Sequence, residues 1–309
     1  MPAAGVFPAA GAAPRSLRAA WRVEVEILAV VLIWGANFAV TKDAVHQTDP
    51  YVYNAARLTI STAFLALVAW RSGLWPAGLA RRRDLIAMVA LGLLGTVGYQ
   101  LCAYAGIVRT TAGNAALMVS TVPAWTALVA WLAGAERLRP IAWAGLVVAF
   151  AGACQLSFAK GADLSGSTTG DLLCLVSAAF WGAYTALSRP LLARHGAAAL
   201  AFWTMVLVLP IMWIPALEPL PTAPLATPRI LFALGFGGLL SSGLSYVLWN
   251  RAIAEVGPSA TAAYNNLVPV VAMACGALFL DESIGPRHVV GVALVLSGLT
   301  LIRRGRAAR

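Results

Sequence analysis

The chain has 309 residues, of which 60% are hydrophobic and only 11% charged, and its mean hydropathy is +0.79. A soluble domain carries about 45–50% apolar and about 25% charged residues, so this composition excludes a soluble globule and predicts a chain surrounded by lipid. The formal net charge of +10 does not indicate nucleic-acid binding, because the basic residues cluster in short loops between apolar runs.

The N-terminal segment, residues 1–22, is rich in Ala, Gly and Pro, and its basic residues come last, directly before the first apolar run. A cleaved signal peptide has the opposite order, with a basic start, an apolar middle and a small-residue cleavage site. The sequence therefore predicts a disordered cytoplasmic tail followed by a first span that is retained.

Ten apolar runs follow this tail. A bilayer core about 30 Å thick needs about 20 mostly apolar residues per helix. The hydrophobicity within each run is continuous, which predicts helices and not the alternating strands of a membrane barrel. The predicted spans are residues 23–41, 53–70, 85–108, 114–133, 141–158, 172–188, 197–216, 230–253, 261–280 and 289–302.

The distribution of Lys and Arg predicts the orientation. With the N-terminus inside, most of the 22 basic residues fall in cytoplasmic segments, including the basic tail 303–309. This bias is typical of inner-membrane proteins. We therefore expect a multi-pass protein of the inner (plasma) membrane with an even number of spans and both termini in the cytoplasm.

The chain is an internal duplication. The triplet Trp34-Gly35-Ala36 recurs 147 residues later as Trp181-Gly182-Ala183. Each copy contains five spans, an odd number, so the second copy is expected to lie upside down relative to the first. This predicts repeats at 23–158 and 172–302, joined by a linker at 159–171. Further pairs at a spacing of 146 are Pro123 and Pro269, Glu136 and Glu282, Pro140 and Pro286, Gly145 and Gly291, and Gly152 and Gly298.

Three stretches resemble the drug/metabolite transporter superfamily, specifically its ten-span EamA-type branch. They are residues 33–38 (Ile-Trp-Gly-Ala-Asn-Phe), 54–58 (Asn-Ala-Ala-Arg-Leu), and 264–269 (Tyr-Asn-Asn-Leu-Val-Pro) followed by 279–282. The resemblance covers nearly the whole chain. It implies an integral membrane transporter that moves small metabolites, often outward, by alternating access. It does not imply a particular substrate.

Pro123 and Pro269 fall near the middle of the fourth and ninth spans. Proline donates no backbone hydrogen bond, so the carbonyls of Val119 and Asn265 are expected to lose their helical partners. In lipid such carbonyls must face protein, water or ligand. They either accept hydrogen bonds from a substrate near the midplane or mark a kink whose carbonyls are satisfied by neighbouring hydroxyls.

Amide and aromatic side chains within the spans are the candidates for substrate contact. Amides both donate and accept hydrogen bonds, which suits a neutral or zwitterionic solute, and aromatic rings line ligand cavities. The alternatives are hydrogen bonds between helices and ordinary helix packing. The candidates are Trp34, Asn37, Tyr99, Trp181, Tyr184, Tyr246, Asn265 and Asn266.

Arg57 lies about a turn inside the second span. An intramembrane charge is costly and usually functional. Three interpretations remain: it attracts a substrate carboxylate, pairs with Asp43 or Asp49 from the neighbouring loop, or extends to the outer surface. The matching position in the second half is near Trp203, so any role of Arg57 is confined to one repeat.

Glu136 and Glu282 stand at the ends of the fourth and ninth spans, each followed four residues later by proline. Their expected role is local, in capping the next helix and pairing with nearby Arg residues, and a gating role is the alternative.

Gly145 and Gly152, and likewise Gly291 and Gly298, are seven residues apart and so share one helix face. Small residues on one face permit close helix contact in membranes. The fifth and tenth spans are therefore expected to pack against each other or against a partner helix.

Several functional classes lack support. No carboxylate falls deep within a predicted span, which argues against proton coupling through a buried acid. No Gly-rich phosphate loop and no metal-ligand spacing is present, and no catalytic residue, cofactor or metal is predicted.

The sequence therefore predicts an all-α carrier exporting small polar or amphipathic metabolites, amino acids among them. Its expected partners are a small-molecule substrate and the bilayer, and a homo-oligomer is an open alternative. Rival readings are a membrane protein with a structural or assembly role, whose centre would be filled, and an intramembrane enzyme.

Overall fold

The computed structural model describes residues 17–71, 81–134, 139–158, 166–280 and 285–305. Within these ranges the chain is helical, with no β-strand, and all ten predicted apolar runs fall on helical segments. Residues 1–16, much of the predicted linker, and both Glu136 and Glu282 lie outside the described residues.

The first half contains five numbered helices. Helix α1 begins at Leu17, several residues before the predicted first span, and α4 consists of two pieces. The bounds are α1 Leu17–Gln47, α2 Pro50–Arg71, α3 Arg82–Ile107, α4 Ala112–Val119 with Val122–Leu132, and α5 Pro140–Phe158.

The second half repeats this order with one added short helix, Arg189–His195, between α6 and α7. Helices α7 and α9 consist of more than one piece. The bounds are α6 Gly166–Leu187, α7 Ala197–Val206 with Leu209–Trp213, α8 Pro228–Val256, α9 Pro258–Ala262, Ala263–Leu267 and Val268–Phe279, and α10 Pro286–Arg304.

Six described helices are long and apolar enough to cross a bilayer: α1, α2, α3, α4, α6 and α8. A seventh is α7 if its two pieces, bent by 47°, form one span. Helices α5, α9 and α10 contain shorter apolar segments. The all-α prediction is confirmed for the described residues, whereas the number of ten spans stays a prediction.

The two prolines predicted near the midplane both lie where a broken helix restarts. Pro123 is at the start of the second piece of α4, and Pro269 is at the start of the last piece of α9. Proline suits the first helical turn because its missing N–H has no helical partner there. At the break in α4, the hydroxyls of Ser120 and Thr121 donate to carbonyls three residues earlier. The helix thus stops and begins again at these positions.

Helices α3 and α8 each contain a wide π-helical segment, Leu93–Gly98 and Phe236–Leu244. The two segments overlap when the second half is shifted by the duplication spacing. Such segments are rare and occur frequently at functional sites. Backbone carbonyls in these segments accept hydrogen bonds from side chains of other helices. For example, the Ser61 hydroxyl donates to the Gly238 carbonyl oxygen at 2.8 Å.

The fifth and tenth helices pack directly against each other, which confirms the prediction from their glycine spacing. A Cβ atom added to Gly298 would lie 2.4 Å from the Ala149 nitrogen, and one added to Gly145 would lie 2.5 Å from the Gly298 carbonyl oxygen. No larger residue fits this contact unless the backbones separate.

The two Trp-Gly-Ala glycines form equivalent contacts between the halves. A Cβ on Gly35 would lie 2.4 Å from Cβ of Val271 in α9, and one on Gly182 would lie 2.6 Å from Cβ of Trp125 in α4. Trp125 and Val271 are themselves 146 residues apart. The first helix of each half therefore packs on the fourth helix of the other half, and this brings the tryptophans of both triplets to the centre of the bundle.

Candidate functional site

A central cavity lies between helices of both halves, with about 60 Å³ of space that the centres of water molecules can reach. The centre of the bundle is therefore not completely filled by side chains. Six of the eight predicted substrate contacts line the cavity, together with Arg57. They are Trp34, Asn37, Tyr99, Trp181, Tyr246 and Asn265.

The other two predicted contacts differ. The Tyr184 ring is fully buried beside the cavity without lining it, and its hydroxyl donates to Asn250 at 3.0 Å. Tyr184 thus packs behind the cavity wall in this structure, and its contact with substrate stays a prediction. The side chain of Asn266 lies outside the described residues, so its role stays a prediction.

An aromatic cluster forms one wall of the cavity, centred on Trp181. The Trp181 ring stacks on Tyr184 with centroids 4.9 Å apart, and the rings of Tyr246 and Tyr99 lie at 5.0 and 5.2 Å. Trp34 meets Trp181 edge-on at 5.6 Å. These separations fall in the favourable range for aromatic pairs. The wall is therefore a packed set of rings from both halves.

Trp34 is also fixed by a polar contact, since its indole N–H donates to the carbonyl of Ser241 at 2.9 Å. Ser241 belongs to the π-helical segment of α8. The wide segment therefore supplies a hydrogen-bond acceptor that orients a cavity tryptophan.

Arg57 is only 2% exposed and faces the interior. Its guanidinium donates to Asn54 Oδ1 at 3.0 Å and Gln100 Oε1 at 2.9 Å, and also to the Ser242 hydroxyl. The Tyr104 ring lies 5.4 Å away. All of these partners are neutral.

Two of the three interpretations of Arg57 are therefore wrong. Its burial excludes extension to the outer surface. The carboxylates of Asp43 and Asp49 form hydrogen bonds with groups other than Arg57. Asp43 accepts from Gln47 at 2.9 Å, while Asp49 accepts from the backbone of Tyr51 and Val52 at the start of α2. The remaining interpretation is attraction of a substrate anion.

The charge of Arg57 lacks a counterion within the described residues. No Asp or Glu side chain of these ranges lies within 4.0 Å of its guanidinium, and its buried Nε has no hydrogen-bond partner. A buried charge is costly unless it is paired. Because Arg57 lines the cavity, an anionic group entering there would supply the missing charge.

Two cavity amides carry buried polar atoms without partners. They are Oδ1 of Asn37, which can accept a hydrogen bond, and Nδ2 of Asn265, which can donate one. The other end of the Asn37 amide donates to Thr41 at 3.2 Å. Unsatisfied buried groups cost about 1–3 kcal/mol, so a polar solute that satisfies both would be stabilised.

Several cavity residues were not predicted as substrate contacts, including Thr41, Ser241 and Ser242. Gln100 connects the halves, donating to the Tyr246 hydroxyl at 3.2 Å across a sequence separation of 146. Ser241 and Ser242 could have been found from the sequence, because they are small hydroxyl residues among glycines within an apolar run.

Two carboxylates are buried at helix ends, just before the predicted spans and not deep within them. Asp84 near the start of α3 is 4% exposed and contacts His195 at 2.8 Å and Arg194 at 2.9 Å. Asp171 in α6 is 1% exposed and accepts from Thr110 at 2.5 Å. Among the described residues, no group of three His, Cys, Asp or Glu side chains is placed to hold a metal ion.

The comparison with protein families is decisive for the class of protein. The model of the EamA-like transporter family matches this chain twice, at residues 22–158 and 168–304. The chain belongs to the EamA-like transporter family. With its apolar spanning helices, it is a multi-pass membrane transporter of the drug/metabolite transporter superfamily.

Individual relatives agree with this assignment. A "Probable terminal-alkyne amino-acid exporter" of Streptantibioticus cattleyicolor is 30% identical over 290 residues, covering 92% of this chain and 94% of the relative. The "Uncharacterized transporter YoaV" of Bacillus subtilis is 25% identical over 286 residues, covering 90% and 95%. One solved crystal structure shares the fold, with a TM-score of 0.61 and 18% identity over 91% of this chain and 95% of that chain.

Proposed function

We propose that this transporter exports zwitterionic metabolites, in particular neutral amino acids with apolar side chains, by alternating access of the central cavity. The observation that carries the proposal is Arg57, a buried cation without a counterion in the described residues, at the edge of an aromatic cavity. An amino acid supplies the carboxylate that this cation needs and an apolar side chain that the rings can cover.

Each part of an amino acid has a complementary group in the cavity. The carboxylate is placed at Nε of Arg57, where a charge-assisted hydrogen bond can form. The ammonium is placed at Oδ1 of Asn37 and over the aromatic faces, which attract cations. The side chain packs among Trp34, Tyr99 and Trp181.

The name of the Streptantibioticus cattleyicolor relative supports this class of substrate and the outward direction. A terminal-alkyne amino acid is itself a zwitterion whose side chain ends in a small apolar group. At 30% identity the detailed preference of this chain is set by its own cavity residues.

The proposed mechanism uses two inverted five-helix repeats, residues 23–158 and 172–302, that together form ten spans. Support comes from the paired contacts of Gly35 and Gly182, and from the paired π-helical segments. The Gln100–Tyr246 bond joins equivalent positions of the two halves, as expected for residues on a two-fold axis in the membrane plane. Both termini are placed in the cytoplasm of a cell whose inner membrane holds the protein.

Each end of the bundle has a polar contact between halves that must open in turn. The Asp84 carboxylate of the first half contacts Arg194 and His195 of the second half. The Asp171 carboxylate of the second half accepts a hydrogen bond from Thr110 of the first half. In alternating access one of these contacts breaks while the other is kept. The Lys and Arg distribution supports a cytoplasmic position for the Asp84 contact.

A ligand screen tests the proposal directly. Purified protein is melted in the presence of each of the common L-amino acids, and any amino acid that raises the melting temperature is then followed as radiolabelled flux in proteoliposomes. We expect neutral apolar amino acids to stabilise the protein and to be transported. Absence of both effects across the whole set would contradict the proposed substrate class.

Replacing Trp181 or Asn265 with Ala is expected to lower amino-acid flux roughly tenfold, while the protein still inserts in the membrane. Each change removes an aromatic contact or a hydrogen bond worth about 1 kcal/mol or more, and about 1.4 kcal/mol corresponds to a factor of ten. Flux in proteoliposomes is the measurement. The matched control is Trp143→Ala, which removes a half-exposed ring distant from the cavity. Wild-type flux in both variants would remove these two residues from the site.

A further inference from the structure

A buried carboxylate lies next to the cavity but outside the proposed amino-acid contacts. Asp171 is 1% exposed and sits in the second turn of α6. Cys174, one turn further along the same helix face, lines the cavity. A change at Asp171 therefore acts on a helix that forms part of the cavity wall.

Residues of the first half hold this carboxylate. The Thr110 hydroxyl donates to Oδ1 at 2.5 Å, and the Asn114 amide donates to Oδ2 at 3.4 Å. The ammonium of Lys42 donates to the carbonyls of Ile107 and Thr110. Thr110 thus connects a lysine of α1 with the acid of α6, and the cluster closes one end of the bundle between the halves.

Asn114 contributes a second feature, which points to a ligand. The residue is 1% exposed, and its amide oxygen is buried without a hydrogen-bond partner while its nitrogen contacts Asp171. An ionised carboxylate only accepts hydrogen bonds, whereas a protonated one also donates an O–H. Rotation of the Asn114 amide would present its oxygen to that O–H. The site therefore has donors for the ionised acid and an acceptor for the protonated acid.

We propose that Asp171 is a proton-binding site that couples amino-acid export to proton entry. The inference rests on the proposed function of the cavity. On the acidic side, hydronium transfers its proton to the carboxylate, forming an O–H bond on Asp171 and leaving water. On the other side the same O–H bond breaks, water takes the proton, and the ionised carboxylate is restored.

The groups around Asp171 determine which of its protonation states holds this end of the bundle closed. Lys42 faces the cluster from α1, and the Cys174 thiol is the neighbouring titratable group on α6. Arg109 adjoins Gly170 through its backbone and Cβ, while its exposed guanidinium donates to the Ala105 carbonyl. Helix α4 faces it with the neutral Asn114. The Lys42 ammonium favours the ionised acid, which holds the end closed through charge-assisted bonds from Thr110 and Asn114. Protonation replaces these with weaker neutral bonds and opens the end.

The test uses proteoliposomes with radiolabelled L-leucine and with the membrane potential held at zero by equal potassium and valinomycin. The interior is made one pH unit more acidic than the outside. For one-to-one exchange, the wild type is expected to accumulate leucine up to about tenfold, because proton exit drives leucine entry against an equal gradient. An internal pH dye is expected to report proton exit when leucine is added.

Asp171→Asn is expected to lose this accumulation while exchange of labelled for unlabelled leucine stays measurable. The matched control is Asp43→Asn, because the Asp43 carboxylate at the same end of α1 bonds only within its own helix, to Gln47. The control is expected to accumulate leucine like the wild type. If Asp171→Asn does not insert, Asn114→Leu takes its place, since it removes the acceptor and keeps the acid. Accumulation by Asn114→Leu is expected to fall at least fivefold.

The outcomes separate the two proposals. Exchange of leucine by the wild type without any response to the pH gradient, or wild-type accumulation by Asp171→Asn or Asn114→Leu, would overturn the proton site and leave the transport function standing. Absence of leucine exchange by the wild type, together with absence of flux for every amino acid in the ligand screen, would overturn the proposed function itself.

Discussion

Replacing Arg57 with Gln is expected to lower the affinity and flux for neutral amino acids roughly a hundredfold. A hydrogen bond to a charged group contributes about 1.5–3 kcal/mol, and the Arg57 charge is the buried counterpart of the proposed substrate carboxylate. Glutamine still bonds to neutral neighbours such as Asn54 and Gln100, so the change removes the charge with limited effect on packing. Flux and the ligand-induced shift in melting temperature are the measurements.

A ligand control makes this test specific. The amine formed by decarboxylation of the same amino acid lacks the group that Arg57 is proposed to bind. Its affinity should therefore be nearly equal in the wild type and in Arg57→Gln. The matched protein control is Arg229→Gln, an exposed arginine at the start of α8, for which wild-type transport is expected. Equal losses for the amino acid and the amine would show that Arg57 only supports the fold.

Replacing Gly182 with Ala is expected to destabilise the protein strongly. The new Cβ would lie 2.6 Å from Cβ of Trp125 and 2.9 Å from the Thr126 nitrogen, and backbone atoms cannot move aside as a side chain can. Helices α6 and α4 must then separate, at a cost of about 1–3 kcal/mol or more. We expect a clearly lower melting temperature and a lower yield of monodisperse protein in detergent. Gly35→Ala is expected to behave alike, because its Cβ meets Val271 at 2.4 Å.

Gly235→Ala is the control for this prediction. Gly235 also lies in a helix, but a Cβ there would have no atom within 4 Å. Alanine is favoured over glycine in a helix by about 0.5–1 kcal/mol, so the same substitution should leave stability unchanged or raise it. Equal melting temperatures for Gly182→Ala and Gly235→Ala would contradict the close contact between the halves.

The duplication and the spacing of small residues made much of the fold predictable. The glycines of the Trp-Gly-Ala triplets and of α5 and α10 have no side chain, so their positions indicate where backbones meet. Arg57 was also recognisable, because a single arginine in an apolar run implies a partner or a ligand. The cavity combines residues that each half supplies separately, and six of the predicted substrate contacts line it, whereas their contact with a substrate stays a prediction.

The buried acids were not predictable from hydropathy. Apolar runs place the boundaries of spans at the first hydrophobic residues, but α3 begins at Arg82 and α6 at Gly166, earlier than those runs. Asp84 and Asp171 are therefore enclosed by neighbouring helices although their sequence surroundings are polar. Tyr184 shows the converse, since its position beside Trp181 on the helix did not reveal that its hydroxyl bonds to Asn250 behind the wall.

The π-helical segments in α3 and α8 determine which of the following side chains face the cavity. Each extra residue in a helix rotates all that follows by about 100°. Tyr99 and Gln100 come directly after the segment Leu93–Gly98, and Tyr246 comes just after Phe236–Leu244. Deleting one residue from either segment would turn these groups away from the cavity without altering any of them. A single-residue insertion or deletion at either point is therefore expected to change the ligand preference abruptly.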